Sequence, residues 1–323
     1  MQAPGGAQTA LAEIPITRRR FGVLAGVLGA QAAGNNPLGA APEDFQPQLC
    51  LFSKHLPETA YADLAATLVR LGCSAVDLTV RPGGHVLPER VAEDLPRAAA
   101  ALRERGIAIP MITTGLTSAQ DPAAESTLAT AARLGIPYYK LGYYRYGKLA
   151  ALREQLDKTR AAVEGLVALG RRARIQAGFH NHSGTYVGAA VWDAREIVER
   201  LDPQWIGYYF DPCHATVEGG LAGWNIAFHL LAGRIRMVAV KDFYWEKVKG
   251  KWTARQCPLG EGMVDWKTFF QQLAAIRFRG PISLHLEYEI AGDTAAARRE
   301  NNLAAIARDF STLQARVREA RQG

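Results

Sequence analysis

The sequence predicts a single (β/α)8 barrel. Short β-rich runs alternate with longer amphipathic segments eight times, no linker or composition shift divides that array, and polar, chemistry-bearing residues gather at the C-terminal ends of the runs.

The runs are residues 49–53, 75–80, 109–113, 138–142, 175–181, 206–211, 237–241 and 282–288. Between them lie helical patterns with apolar side chains three and four apart. In 87–105 these are Val91, Leu95, Ala99 and Leu102, and 149–169 follows the same spacing. Pro57, Pro88 and Pro122 stand near helix starts, where a missing N–H costs nothing. Gly72, Gly106 and Gly135 close helices just before the next strand. A doubly wound open sheet is the main rival, but it would carry a glycine-rich phosphate loop after its first strand. That position reads Phe52-Ser53-Lys54-His55-Leu56-Pro57, without glycine. The barrel is placed at 48–318, behind a linker at 34–47.

Composition bounds the function. With 323 residues, 48% hydrophobic and 21% charged, the chain can bury a core and is not disordered throughout. No apolar run reaches the roughly 18 residues of a membrane span. Four cysteines without a CxxC pair exclude a disulfide scaffold and a zinc ribbon. Residues 1–33 read as an export signal. Thr17-Arg18-Arg19-Arg20-Phe21 precedes a short apolar stretch, 21–30, and the small residues 31–34, in the manner of a bacterial twin-arginine leader. The leader holds three arginines and one glutamate, so the net charge falls from +7 to +5 without it. The remaining positives are scattered over helices, which argues against a nucleic-acid partner. The expected location is periplasmic or otherwise exported, with no stable membrane association after cleavage. An oxidising compartment would let Cys50 and Cys73 pair, which the sequence leaves open. A homo-oligomer is left open as well.

Six of seven histidines fall at one rim. His55 follows the first strand, His85 the second and His214 the sixth; His180 and His182 lie on the fifth and His285 on the eighth, while His229 falls inside a helix. Active sites of such barrels are built at that rim. Alternation puts Gln176, Gly178, His180 and His182 on one face of the fifth strand, and Ser283, His285 and Glu287 on one face of the eighth. Asp211 ends the sixth strand after a run too apolar to hold a carboxylate without a partner, and Lys241 and Asp242 end the seventh. Two carboxylates and an imidazole converging there suit Mn2+, Mg2+, Co2+ or Zn2+. The competing reading is an internal ion-pair cluster in which Lys241 neutralises Asp211 and Glu287.

Phe210-Asp211-Pro212-Cys213-His214-Ala215, Val240-Lys241-Asp242, Pro258-Leu259-Gly260-Glu261-Gly262 with Val264-Asp265-Trp266, and Glu287 together resemble the xylose-isomerase-like TIM-barrel superfamily of sugar (phosphate) isomerases and epimerases. The resemblance spans nearly all of the chain after the leader. It implies a divalent metal held by acids from the fifth, sixth and eighth strands and a seventh-strand histidine. It also implies two glutamates that shuttle a proton at the carbon next to a sugar carbonyl. Two positions depart from the pattern: His180 replaces the glutamate before Asn-His, and Ala239 replaces the histidine two before Lys-Asp. The implied ligand set becomes His180, Asp211, Glu287 and His285. Only Glu287 remains of the proton-shuttling pair, so Lys241, His182 or His214 must supply the second acid–base.

Substrate contacts are expected from Arg81 and His85 after the second strand, from Lys54, His55 and Lys140, and from an aromatic wall of Tyr143, Tyr144 and Tyr146. Tyr244 and Trp245 are suited to stacking on sugar faces. Without a glycine-rich turn beside these cations, a neutral sugar or glycoside is the expected small-molecule partner. The leading reading is a divalent-metal-dependent sugar isomerase or epimerase that abstracts a proton next to a carbonyl held by the metal. A lyase or hydratase cleaving a keto-glycoside by elimination is the second reading, and a non-catalytic sugar-binding barrel is another. A DNA-repair endonuclease, also of this superfamily, needs three zincs and more ligands than these residues offer.

Overall fold

The computed structural model describes residues 45–57 and 59–322. The export signal and most of the linker lie outside the described residues. In chain order the elements are β1 (Gln48–Phe52), α1 (Tyr61–Arg70), β2 (Ala75–Val80), α2 (Val91–Glu104), β3 (Ala108–Thr114), α3 (Ala124–Arg133), β4 (Tyr138–Lys140), α4 (Leu152–Ala173), β5 (Gln176–His180) and α5 (Trp192–Val198). Then come β6 (Ile206–Phe210), α6 (Pro212–Leu231), β7 (Ile235–Val240), β8 (Asp242–Val248), β9 (Lys251–Cys257), α7 (Trp266–Ala275), β10 (Pro281–Leu284) and α8 (Ala295–Gln322). The sheet closes in the order β1-β10-β7-β6-β5-β4-β3-β2, with every neighbouring pair parallel. This is the predicted TIM barrel, a single domain.

Strand alternation separates two cores. Outward-facing Leu51, Leu78, Ile112, Tyr139, Phe179, Phe210, Val238 and Leu284 join the helices in one large apolar cluster. Inward-facing Met111, Tyr209, Met237 and Ala239 form a small plug inside the barrel. Gly178 makes room for it, because a Cβ there would collide with the Met237 side chain. Ala239, the position expected to lack the usual histidine, is therefore plug rather than site. Two residues further up the strands from Tyr138, Gly178, Tyr209 and Ala239, the inward positions turn polar: Lys140, His180, Asp211 and Lys241.

The boundaries differ from the sequence reading in instructive places. The eighth barrel strand ends at Leu284 instead of 288. The ladder continues through His285 N to Val240 O at 2.9 Å, and then His55 Nε2 takes over as acceptor for Leu286 N at 3.0 Å. A side chain thus replaces the neighbouring strand. The helix expected from 87 begins as a 3-10 turn, Pro88–Arg90, before α2, and the one expected from 149 begins as Leu149–Ala151 before α4. The β8–β9 hairpin was not expected at all. Its register closes at Val248↔Lys251, leaving the two-residue turn Lys249-Gly250 with φ of 49° and 80°. Two left-handed residues in succession make the type I′ turn that matches hairpin twist. Cys50, Cys73, Cys213 and Cys257 are all buried free thiols, so Cys50 and Cys73 do not pair.

Candidate active site

A cavity of about 390 Å3 opens at the C-terminal ends of the barrel strands. Lys54, Arg81, Lys140, Tyr143, His180, His182, Ser183, His214, Lys241, His285 and Glu287 line it from the barrel, and Ala254 and Gln256 from the hairpin.

Asp211 is its organising centre, and the local sequence explains why. Pro212 at the first helical position starts α6, and Asp211 Oδ1 caps that helix by accepting from His214 N at 3.0 Å. Asn181 clamps the Asp211 backbone on both sides: its Nδ2 donates to Asp211 O at 2.9 Å, and its Oδ1 accepts from Asp211 N at 2.8 Å. Both groups are thereby fixed, and Oδ2 is left facing Lys241 Nζ at 3.1 Å, His180 Nε2 at 3.4 Å and His214 Nε2 at 3.7 Å. Burial opposes ionisation of this fully enclosed carboxyl, but Lys241 and the two imidazoles overcome it and hold the group well below the usual carboxylate range. Burial likewise opposes the Lys241 charge, and Asp211 more than offsets it, so the ammonium titrates above an ordinary lysine. Burial drives His180 down to about 3 and His214 well below its ordinary value. Both imidazoles are therefore neutral.

These donors fit a divalent cation. His180, Asp211 and His214 offer one ligand atom each, all within 4.8 Å of one another. His214 Nε2 is buried without any hydrogen-bond partner, which is costly for a polar atom unless something meets it. The far nitrogens are already supported, His180 Nδ1 by Tyr143 OH at 3.1 Å and His214 Nδ1 by Ser183 Oγ at 2.8 Å. Such outer partners set the tautomer that leaves Nε2 free to ligate. Of the residues the sequence implied as ligands, His180 and Asp211 lie in this group, with His214 as its third member; His285 Nε2 shares a hydrogen bond with Tyr209 OH at 3.1 Å and its ring stacks on Phe52 at 4.4 Å, and Glu287 pairs with Lys54.

Glu287 occupies the other side of the cavity. Lys54 Nζ donates to both of its oxygens, at 3.0 and 3.3 Å. Burial works against its charge, but Lys241 and Lys54 outweigh that, and its carboxyl lies below the ordinary value. Beneath His285, Tyr209 OH also reaches Asp77 Oδ2 at 3.3 Å, where Ser283 Oγ donates at 2.9 Å; Thr113 Oγ1 donates to Asp77 Oδ1 at 2.8 Å. Burial raises Asp77 to about 6 even with these three hydroxyls.

The Lys-Asp and Pro-Leu-Gly-Glu-Gly elements have a structural explanation. Asp242 Oδ2 accepts from Gly260 N at 3.0 Å, Gly262 N at 3.1 Å and Trp266 Nε1 at 2.8 Å; Oδ1 accepts from Phe243 N at 2.9 Å and Val264 N at 3.3 Å. One carboxylate folds the whole segment leading to α7 around itself. Gly262 must be glycine, because a Cβ would strike that carboxylate.

Several expected contacts lie elsewhere. His85 faces away from the cavity, donating through Nε2 to Leu56 O at 3.0 Å, with Nδ1 3.1 Å from Thr79 Oγ1. His55 supports the 285–287 segment as described above. Tyr144 donates to Thr117 O at 2.9 Å and stacks on Phe179, so of the expected tyrosine wall it is Tyr143 that lines the cavity, together with Tyr209. Lys140 does line the cavity, its Nζ 3.3 Å above the Tyr143 ring, and burial, then Arg81, holds its amine well below the lysine range. His182 Nδ1 donates to Ser183 O at 2.9 Å, so Nε2 is the acceptor. His229 is exposed on α6. Sequence reasoning missed Asn181, Tyr209, Asp77 and Gln256; of these, Asp77 and Tyr209 were readable as inward polar positions by the same alternation.

A family model described as xylose isomerase-like TIM barrel matches residues 65–310. The chain belongs to that family. No curated protein matches it by sequence. Among solved structures, this xylose isomerase-like barrel resembles an L-ribulose 3-epimerase (TM-score 0.65, 16% identity, covering 85% of this chain and 96% of that one). It also resembles the D-psicose 3-epimerase of Clostridium cellulolyticum H10, determined with D-tagatose (0.63, 10%, 84% and 99%). A third is the 3-keto-D-glucoside 4-epimerase of E. coli (0.62, 15%, 81% and 99%). At such identities the likeness establishes the shared barrel.

Proposed function

We propose that the protein is a sugar epimerase or isomerase, with a divalent cation held by His180, Asp211 and His214. The observation that carries this reading is the unpartnered, buried Nε2 of His214, aimed with His180 Nε2 at the Asp211 carboxylate, with an ionised Glu287 on the other side of the same cavity. When bound, such a cation supplies Lewis acidity toward a carbonyl oxygen.

The residues divide the remaining work. Glu287, kept ionised by Lys54 and Lys241, takes the proton from the carbon beside the carbonyl. Lys241 stays charged and so serves as a fixed positive neighbour for the negative charge that develops on oxygen, not as a proton carrier. His214 is engaged at Asp211, which leaves His182, with Nε2 as acceptor, to act as the second acid–base. Lys54, Arg81 and Tyr143 supply donors and a wall for hydroxyls. A second reading, elimination from a keto-glycoside, is favoured by one feature: Glu287 is the one carboxylate among the residues lining the cavity. Elimination needs a single base and an acid at the leaving group, whereas inversion at carbon needs a proton donor on each face.

Asp211→Asn and Glu287→Gln each remove more than 100-fold of the activity on ketoses or 3-keto-glycosides on this reading. Chromatography of the products separates interconverted epimers from a released aglycone. Retained activity in either variant, or a purified protein free of divalent metal and indifferent to chelator, refutes the proposal.

A further inference from the structure

We propose that the inner face of the β8–β9 hairpin is an outer subsite that holds the second ring of a glycoside while the first ring occupies the cavity. This rests on the carbohydrate reading above and names its substrate class.

Trp245 pairs with Ala254, Phe243 with Gln256 and Lys247 with Trp252. Cross-strand partners and residues two apart share a face of a two-stranded ribbon. Ala254 and Gln256 line the cavity, so Trp245 and Trp252 extend the same wall outward. The 5.9 Å edge contact between the Phe243 and Trp245 rings agrees with that assignment. The opposite face carries the Arg255–Glu246 ion pair at 2.7 Å.

Two observations point to a ligand. Trp252 is 67% exposed and Trp245 39%, an unusual outlay of indole beside a polar cavity. At the junction between cavity and platform, Gln256 Oε1 is buried without a hydrogen-bond partner. A pyranose or aryl ring satisfies both demands: its C–H or π face covers indole, and a hydroxyl near the glycosidic bond donates to Gln256. Lys247, Lys249 and Lys251 crowd the hairpin tip, a residue type depleted from the centres of protein interfaces, so the patch suits a small ring better than a second copy of the chain.

Titration calorimetry of the full chain with methyl β-D-glucoside, cellobiose, maltose and phenyl β-D-glucoside tests the subsite. At least one two-ring ligand binds about tenfold tighter than the methyl glycoside, and Trp252→Ala with Trp245→Ala removes that advantage while leaving methyl-glycoside affinity unchanged. Gln256→Leu weakens the two-ring ligands in the same selective way. Equal affinity for one-ring and two-ring ligands, or an advantage that survives the double tryptophan variant, overturns the subsite. So does concentration-dependent self-association by light scattering that Trp252→Ala abolishes. If no panel member binds while ketoses are still turned over, the subsite falls and the proposed function stands; if neither occurs, both fall.

Discussion

At Asp211 Oδ2 a lysine ammonium and two neutral imidazoles face one carboxylate oxygen, and this sets up a competition. The ammonium satisfies the buried charge electrostatically; a divalent cation would do so too, and would also use the imidazole lone pairs. An ion-pair cluster and a metal site were alternatives in the sequence, and the geometry makes them two claims on the same oxygen. Lys241→Met separates them. Without a cation it leaves Asp211 buried and unpaired, which costs about 3–5 kcal/mol. Added Mn2+ or Zn2+ then restores more of the melting temperature than it adds to the unsubstituted protein, because the repelling ammonium is gone. Thermal unfolding with and without metal reads this directly. A variant as stable as the parent, or one that metal does not rescue, would remove Lys241 from that role. The residue scale was well legible for inward positions: Lys140, His180, Asp211 and Lys241 all follow from counting by two along strands. It was poorly legible after strands end. His85 and Tyr144 look like rim ligands in the sequence, yet each turns back to cap a neighbouring loop, because backbone carbonyls there lack strand partners.

Among the elements, the segment between β8–β9 and α7 shows how a motif can be diagnostic without touching chemistry. Asp242 accepts five hydrogen bonds and stands next to Lys241, so the loop and Lys241 share one support. Asp242→Asn keeps the volume but places an NH2 group against N–H donors in either amide orientation. Two donors are stranded if the amide nitrogen takes the Oδ1 position, and three if it takes the Oδ2 position. The expected loss is roughly 2–4 kcal/mol of stability, read by urea unfolding, with kcat falling more than KM as Lys241 shifts. An unchanged denaturation midpoint would show that the loop holds itself. The hairpin beside it had a local signal, Lys249-Gly250 between β-rich stretches, but its alternating polar and aromatic residues resemble a surface loop until a partner strand is known. Its cavity-lining role through Gln256 depends on where the barrel sits, and no local pattern carries that.

For the whole molecule, the sequence argues that a basic chain of this family does not serve nucleic acid. The charge distribution gives the physical reason. Five exposed or half-buried arginines pair locally with carboxylates: Arg90 with Asp94, Arg153 with Glu196, Arg160 with Asp157, Arg255 with Glu246 and Arg316 with Glu319. Phosphate binding draws its affinity from releasing counterions at clustered, unpaired cations, and paired ones contribute little of it. Among the described residues a single group of three donors could hold a metal, one site where a multi-zinc nuclease needs several. Duplex DNA with an abasic site should therefore be neither retained in a gel-shift assay at about 150 mM salt nor cleaved with Zn2+ or Mn2+ present, and KM for a neutral sugar should hold steady between about 50 and 200 mM salt. A nuclease neutralising even six phosphates would instead lose roughly a thousandfold in affinity over that range. Retention of DNA with that steep salt slope would transfer the rim of histidines from sugar chemistry to phosphodiester chemistry, because the same neutral imidazoles and buried aspartate suit either substrate once a cation is bound.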